Sequence, residues 1–454
     1  KEVSKMAEEV ITGRTKRSKK NYEAPKLASA FQKQRFKEFQ ERVKNGEPCV
    51  LLSANHPLEF LIAMDIPYVC NQWFTGICAA KQLSGNYFLK MEEMGYKRGL
   101  CGYCSTCLGY ALTEEFIDGQ GPYGGMPKPS IVLGERFCSS SSKIMELFAE
   151  KAGAKLYNLQ NPACLYMPDN WWELTRYDWE KLYEPGKLDE AEEDFRQLIS
   201  FLEKESGKRF DETKLLEVMH NINKQEEYYD KIRELIAASR PTPVTIPDVL
   251  PAVMQAQWNR GLPWAVEHAK NFYEEIKAKA DAGFAAVPNE RIRLAWLGLG
   301  FWQNLAFYQY FEEKYGAAFV WSVYLAVAAD NYIRYNCDEN PIRAVASHDL
   351  TMNDCLELPK MSVQWFLHEF KKADVDAVVF CPDMACAERN VKATNLTIKA
   401  LEDAGYPVLK IEASYLDGNL WEQQESIVVG MVEEFLEKRV TPIVEAKEAK
   451  HRVK

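Results

Sequence analysis

Short apolar runs alternate with longer amphipathic stretches through most of this chain. CVLLSA (49–54), SIVLG, AKLYNL, the stretch 292–297, AAFVWSVY, DAVVF (376–380) and YPVLKIEA read as strands, most of them apolar on both faces. Between them, HPLEFLIAMDI, KIMELFAEKAG, residues 302–314, WFLHEFKKA and ESIVVGMVEEFLEKRV carry apolar residues at helical spacing. Strand followed by helix, repeated in this way, predicts parallel sheets covered by helices.

The expected fold class is α/β: two parallel-sheet domains covered by helices, with additional helical segments. Residues 1–47 are charged and helix-forming, an N-terminal helical extension that stops near Gly46 and Pro48. A first α/β domain follows over 48–239, with a charged helical insert at 187–237. RPTPVTIPDVLP then places four prolines in twelve residues, which predicts a break in any helix, so 240–290 reads as a linker and helical crossing. The second α/β domain and a C-terminal helix take up 291–454.

Composition narrows the function. Of 454 residues, 47% are hydrophobic and 27% charged, enough to bury a large interior, and the net charge of -10 excludes a general nucleic-acid binder. With no long apolar run free of charges and no signal-like start, the expectation is a soluble cytoplasmic protein without membrane partners. Twelve cysteines in a reducing compartment then call for an account other than disulfides.

LCGYCSTCLGY sets Cys101, Cys104 and Cys107 at intervals of three, the opening of a ferredoxin-type run without its fourth cysteine and proline. Distant residues must complete any metal site. Cys138 follows the strand SIVLG and precedes a helix whose N-terminus would favour a thiolate. Cys381 and Cys386, in FCPDMACAERN, follow a strand in the same way. Zinc fits poorly, because its ligands usually come in compact pairs and the chain has only six histidines. Cys49, Cys70, Cys78, Cys164, Cys337 and Cys355 read as core residues. His56, Glu59 and Arg136 lie near active-end loops, where capping or solvated roles are expected. GPYGGMPKP matches neither a phosphate loop nor a dinucleotide fingerprint, so any ATP requirement belongs to another polypeptide. The aromatic residues of WLGLGFWQNLAFYQYF suit either a core or an aromatic pocket.

HPLEFLIAMDI, MEEMGYKRGLCGYCSTCLGYAL, PSIVLGERFCSSSSKIMELF, SGKRFDETKL and DAVVFCPDMACAERN, in this order and spacing, resemble the catalytic subunits of the 2-hydroxyacyl-CoA dehydratase and benzoyl-CoA reductase superfamily. The resemblance spans about residues 45–435 and implies a [4Fe-4S] iron-sulfur cluster held between the two domains. It carries Cys101, Cys138 and Cys386 over as cluster ligands and leaves Cys104 and Cys107 as neighbours or conditional ligands, with Cys381 the alternative to Cys386. It implies a homologous second catalytic subunit, an iron-sulfur ATPase activator that supplies ATP-driven electrons, and an acyl-CoA substrate; it assigns no catalytic side chain. The chain departs from the family by reading CysAlaGluArgAsn from Cys386. On that departure the first expectation is an ATP-dependent aryl-CoA reductase subunit. The alternatives are a 2-hydroxyacyl-CoA dehydratase using a ketyl radical and a non-catalytic electron-transfer or scaffold subunit.

Overall fold

The computed structural model describes residues 18–96, 101–135, 138–160, 167–355, 359–382 and 387–452. Two four-stranded sheets organise them. The first contains β1 (Val50–Leu52), β2 (Tyr68–Cys70), β3 (Ile131–Glu135) and β4 (Lys155–Leu159) in the order β2-β1-β3-β4. The second contains β5 (Ile292–Gly298), β6 (Ala317–Ser322), β7 (Ala377–Cys381) and β8 (Val408–Lys410) in the order β6-β5-β7-β8. Every pairing is parallel.

The two orders are one topology used twice. In each sheet the chain leaves the first strand for one neighbour and returns on its other side, so the strand order reverses between β1 and β3 and again between β5 and β7. Helices that diverge at such a reversal leave a crevice at the carboxyl ends of the strands, where open α/β sheets bind ligands. Both sheets therefore offer the position for such a crevice at the same end of equivalent strands.

The two sheets match the expected alternation, with three differences. The strand β2 was not expected, because three residues leading straight into helix Asn71–Ala80 show no period of their own. AAFVWSVY divides, with β6 ending at Ser322 and helix Val323–Asn331 starting at once. The proline-rich segment breaks the helical run only in its first half: helix Glu212–Ala238 ends before it, but Ile246–Gln257 is a helix, and nearly all of it is buried. Pro247 sits in the first turn, where no backbone N–H is needed. Pro251 lies inside the helix and cannot donate to the Pro247 carbonyl four residues earlier. That carbonyl instead accepts from the Lys20 ammonium. A residue distant in sequence supplies what the proline removes.

The N-terminal helix Ala24–Lys44 lies against this one, with Gln32 Nε2 donating to the Gln255 carbonyl at 2.8 Å and Phe36 meeting Trp73 edge-on. The aromatic run after β5 is core: Trp296, Phe301, Tyr308 and Phe319 are buried and pack edge-to-face around Trp296 or against one another. Cys49, Cys70, Cys78 and Cys337 are buried as expected, while Cys164 and the side chain of Cys355 lie outside the described residues. Among the described residues no helix is long and apolar enough to cross a membrane.

Candidate functional site

Cys101 and Cys138 occupy the same position on two different helices. Cys101 is the N-cap of Gly102–Ala111, and Cys138, in extended backbone, is the N-cap of Ser139–Ala152, three residues beyond the end of β3. Four serines, Ser139 to Ser142, follow Cys138 and carry hydroxyls of the kind that cap helices. The thiol takes that role itself, its Sγ accepting the Ser141 N–H at 3.4 Å. The Cys101 N–H donates to Ser140 Oγ at 3.2 Å, which ties the two helix starts together. Sulfur at either position lies at the positive end of a helix, where a thiolate is stabilised.

The second half of the chain closes on this point. The Gly102 N–H donates to the Tyr415 hydroxyl at 3.3 Å, from the loop after β8, and a Cβ at Gly102 would fall 2.9 Å from Leu416 Cδ1. Tyr103 accepts from Trp302 Nε1 at 2.8 Å, and its ring lies 5.7 Å from that of Tyr415. Trp302 follows β5, whose last residue, Gly298, has φ +97° and would bring a Cβ within 2.0 Å of the Cys381 carbonyl. Only glycine fits there. Cys381 ends β7 and is buried, and through Trp302 the ends of β5 and β7 lie beside the helix start that carries Cys101. Cys386 and Arg136 lie outside the described residues.

Of the remaining members of the cysteine triplet, Cys104 shares a small apolar cluster with Met91, Leu108 and Ile144, against which Cys101 also packs, while Cys107 faces the main core. Cys104 and Cys107 lie within the helix and are buried against Asn71–Ala80: Asn71 Nδ2 donates to Cys104 Sγ at 3.3 Å, and Cys107 Sγ lies 3.6 Å from the Asn71 carbonyl. Burial pushes the Cys107 thiol up to about 12, which disfavours the thiolate that ligates metal. Cys104 and Cys107 thus follow Cys101 by about one and nearly two helical turns.

Beside the first crevice lies a buried charged network. Arg260 Nε donates to Glu59 Oε1 at 2.6 Å, and its Nη2 to Glu59 Oε2 at 3.2 Å. The same guanidinium donates to the carbonyls of Ala54, at 2.8 Å, and His56, at 2.9 Å, with the Tyr332 ring 4.7 Å beneath it. His348 Nε2 stands 3.1 Å from Glu59 Oε1. Burial alone would raise the Glu59 carboxyl, but the Arg260 charge, with His348 beside it, outweighs burial and holds it at about 2. His56 accepts the Ser53 N–H on Nδ1 at 3.3 Å, and its Nε2 meets Glu135 Oε2 at 2.9 Å. Burial, with the charges of Glu135 and Glu59, pushes the Asp349 carboxyl well above its usual range.

His56 and Glu59 are therefore not capping or solvated groups. The network joins the loop after β1, the end of β3, the central helices and helix Pro341–Cys355. Sequence reading did not single out Glu135, Arg260 or His348. Glu135 did leave a signal, a carboxylate closing the otherwise uncharged strand IVLGE; Arg260 left none.

Two thiols on converging helix starts suit a thiolate-ligated cluster, and the donor chemistry of Cys101 and Cys138 fits such a group. Among the described residues, no set of three or more His, Cys, Asp or Glu side chains is arranged to hold a metal ion. The third expected ligand, Cys386, lies outside those residues.

Residues 53–438 match the family described as 2-hydroxyglutaryl-CoA dehydratase, D-component. Over 407 residues the chain is 22% identical to the lactoyl-CoA dehydratase subunit alpha of Anaerotignum propionicum, covering 87% of this chain and 92% of that protein. Over 402 residues it is 22% identical to the (R)-2-hydroxyisocaproyl-CoA dehydratase alpha subunit of Clostridioides difficile, with the same coverage of each.

Proposed function

The chain belongs to the family of the 2-hydroxyglutaryl-CoA dehydratase D-component, and from that premise we propose that it is a catalytic subunit of a 2-hydroxyacyl-CoA dehydratase. The observation that carries this reading is the family match over most of the chain together with two relatives, each named for removing water from a 2-hydroxyacyl-CoA thioester. The aryl-CoA reductase placed first on the sequence has no such support. Its argument was one short departure after Cys386, and that segment does not outweigh a match spanning both halves.

Cys101, Cys138 and Cys386 would hold a [4Fe-4S] cluster between the two crevices. When bound, that group would supply one low-potential electron to the thioester carbonyl. The chain's own part is to position and to exclude water. The Tyr103, Trp302 and Tyr415 side chains close the second half over the Cys101 helix start, and a dry wall protects reactive intermediates from solvent. A homologous second subunit and an ATP-hydrolysing iron-sulfur activator complete the system, and the acyl-CoA is its substrate.

The test is an anaerobic assay of the chain with its partner subunit and activator. Lactoyl-CoA, 2-hydroxyisocaproyl-CoA and 2-hydroxyglutaryl-CoA are each compared with benzoyl-CoA. Formation of an enoyl-CoA from one of the first three is expected. Dienoyl-CoA from benzoyl-CoA, without dehydration, would restore the reductase.

A further inference from the structure

We propose that Glu135 is the general base that removes the β-carbon proton of the substrate, and that His56 is the positioning residue that holds its carboxylate. The inference rests on the dehydratase reading and adds to it the group that handles the proton.

Place comes first. Glu135 is the last residue of β3 and His56 lies in the loop after β1, so the pair joins the carboxyl ends of the two strands between which the first sheet's order reverses, the place where open α/β sheets bind ligands. Three residues further along the same chain stands Cys138. A carboxylate at this position sits at the ligand-binding edge of the sheet, next to the cysteine proposed to hold the electron donor.

Geometry comes second. The Ser53 N–H points at Nδ1 of His56, which must therefore be the acceptor nitrogen, and the proton of the neutral ring is left on Nε2. Nε2–H then donates to Glu135 Oε2 at 2.9 Å. The imidazole is itself held from behind, because Arg260 binds the His56 carbonyl and Gln72 Oε1 accepts the Ala54 N–H at 2.7 Å. A carboxylate fixed by a ring that is fixed by the backbone is the arrangement a positioned base needs. Asp349, whose environment favours its protonated form, faces Glu135 without adding a second full charge.

Chemistry comes third. Water leaves a 2-hydroxyacyl thioester as hydroxide from the α-carbon and a proton from the β-carbon, and that β-proton is not acidic in the starting thioester. When bound, the low-potential donor would supply one electron to the substrate carbonyl. The α-carbon–oxygen bond breaks, with hydroxide carrying away its electron pair and leaving a neutral radical. Glu135 takes the β-proton, and the carbon–hydrogen electron pair stays on the substrate to complete the double bond. The extra electron returns to the donor, and the protonated Glu135 gives its proton to hydroxide, forming water and restoring the carboxylate. No net oxidation occurs.

A purely structural Glu135 would be replaced without loss by glutamine, whose amide oxygen still accepts from Nε2 but whose side chain takes no proton. In the assembled holoenzyme, Glu135→Gln is expected to lower kcat by about 100-fold or more with KM changed by less than about threefold. Iron and sulfide content and thermal melting should stay at wild-type levels. A primary isotope effect on kcat from substrate deuterated at the β-carbon should grow, and Glu135→Asp should recover part of the rate. His56→Gln, which keeps a donor for Glu135, should lose less activity than His56→Ala. Near-normal kcat in Glu135→Gln, an unchanged isotope effect, or loss of iron or melting temperature in that variant would each overturn the assignment. If wild-type holoenzyme dehydrates no 2-hydroxyacyl-CoA, the parent reading fails before any variant is made, and the two failures are thereby told apart.

Discussion

Removal of the Arg260 guanidinium would strand Glu59 in the interior, because that carboxylate is held ionised chiefly by Arg260 against the cost of burial. Arg260→Met should lower stability by about 3–5 kcal/mol, the range seen when one partner of a buried pair is taken away, as measured by chemical denaturation. Glu226 behaves in the opposite sense. Burial pushes it up to about 8, with Gln257 Nε2 donating to it at 2.6 Å. Between the ordinary carboxylate range and about 8 the folded chain keeps a proton that the unfolded chain releases. The stabilisation is therefore full below about pH 4.5 and is lost as pH rises through about 8. Glu226→Gln should flatten the fall in melting temperature across that window; an unchanged slope would refute it. For the thiols, serine at Cys101, Cys138 or Cys386 should each lower iron and labile sulfide in anaerobically purified protein. Serine at Cys104 or Cys107, packed against Asn71–Ala80, should leave most of the cluster in place.

At the scale of single elements, two helices depend on neighbours their own sequences do not name. Ile246–Gln257 carries Pro251 in its interior, and the carbonyl this leaves is answered by Lys20. Lys20→Met should cost about 1–3 kcal/mol for an acceptor left without that donor, read as a shift in the denaturation midpoint. Gly102–Ala111 approaches Ser84–Glu93 so closely that a Cβ at Gly109 would sit 2.3 Å from the Tyr87 carbonyl oxygen. Gly109→Ala must push the helices apart and should destabilise by about 1–3 kcal/mol, the usual cost of overpacking.

At the scale of the molecule, the alternation of apolar runs and amphipathic stretches was enough to read two parallel sheets, and strand followed by cysteine followed by helix was enough to find Cys138 and Cys381. Both signals are local, and local signals survive in a bare sequence. β2 escaped because three residues carry no period, and Ile246–Gln257 escaped because its prolines speak only of the backbone donors they lack. The buried network escaped for a different reason: Arg260 and Glu59 stand 201 residues apart, and nothing in either neighbourhood records the other. Gly102 against Leu416 and Gly298 against Cys381 are contacts of the same kind.

The repeated strand order has a consequence for inheritance. Each half brings one crevice, yet the helix start carrying Cys101 rests on Tyr415 and Leu416 from the other half, so neither half can drift at this seam without an answering change across it. Among related sequences, residues matching 102 and 103 should vary in step with those matching 302, 415 and 416, as two parts of one lineage constrained to change together.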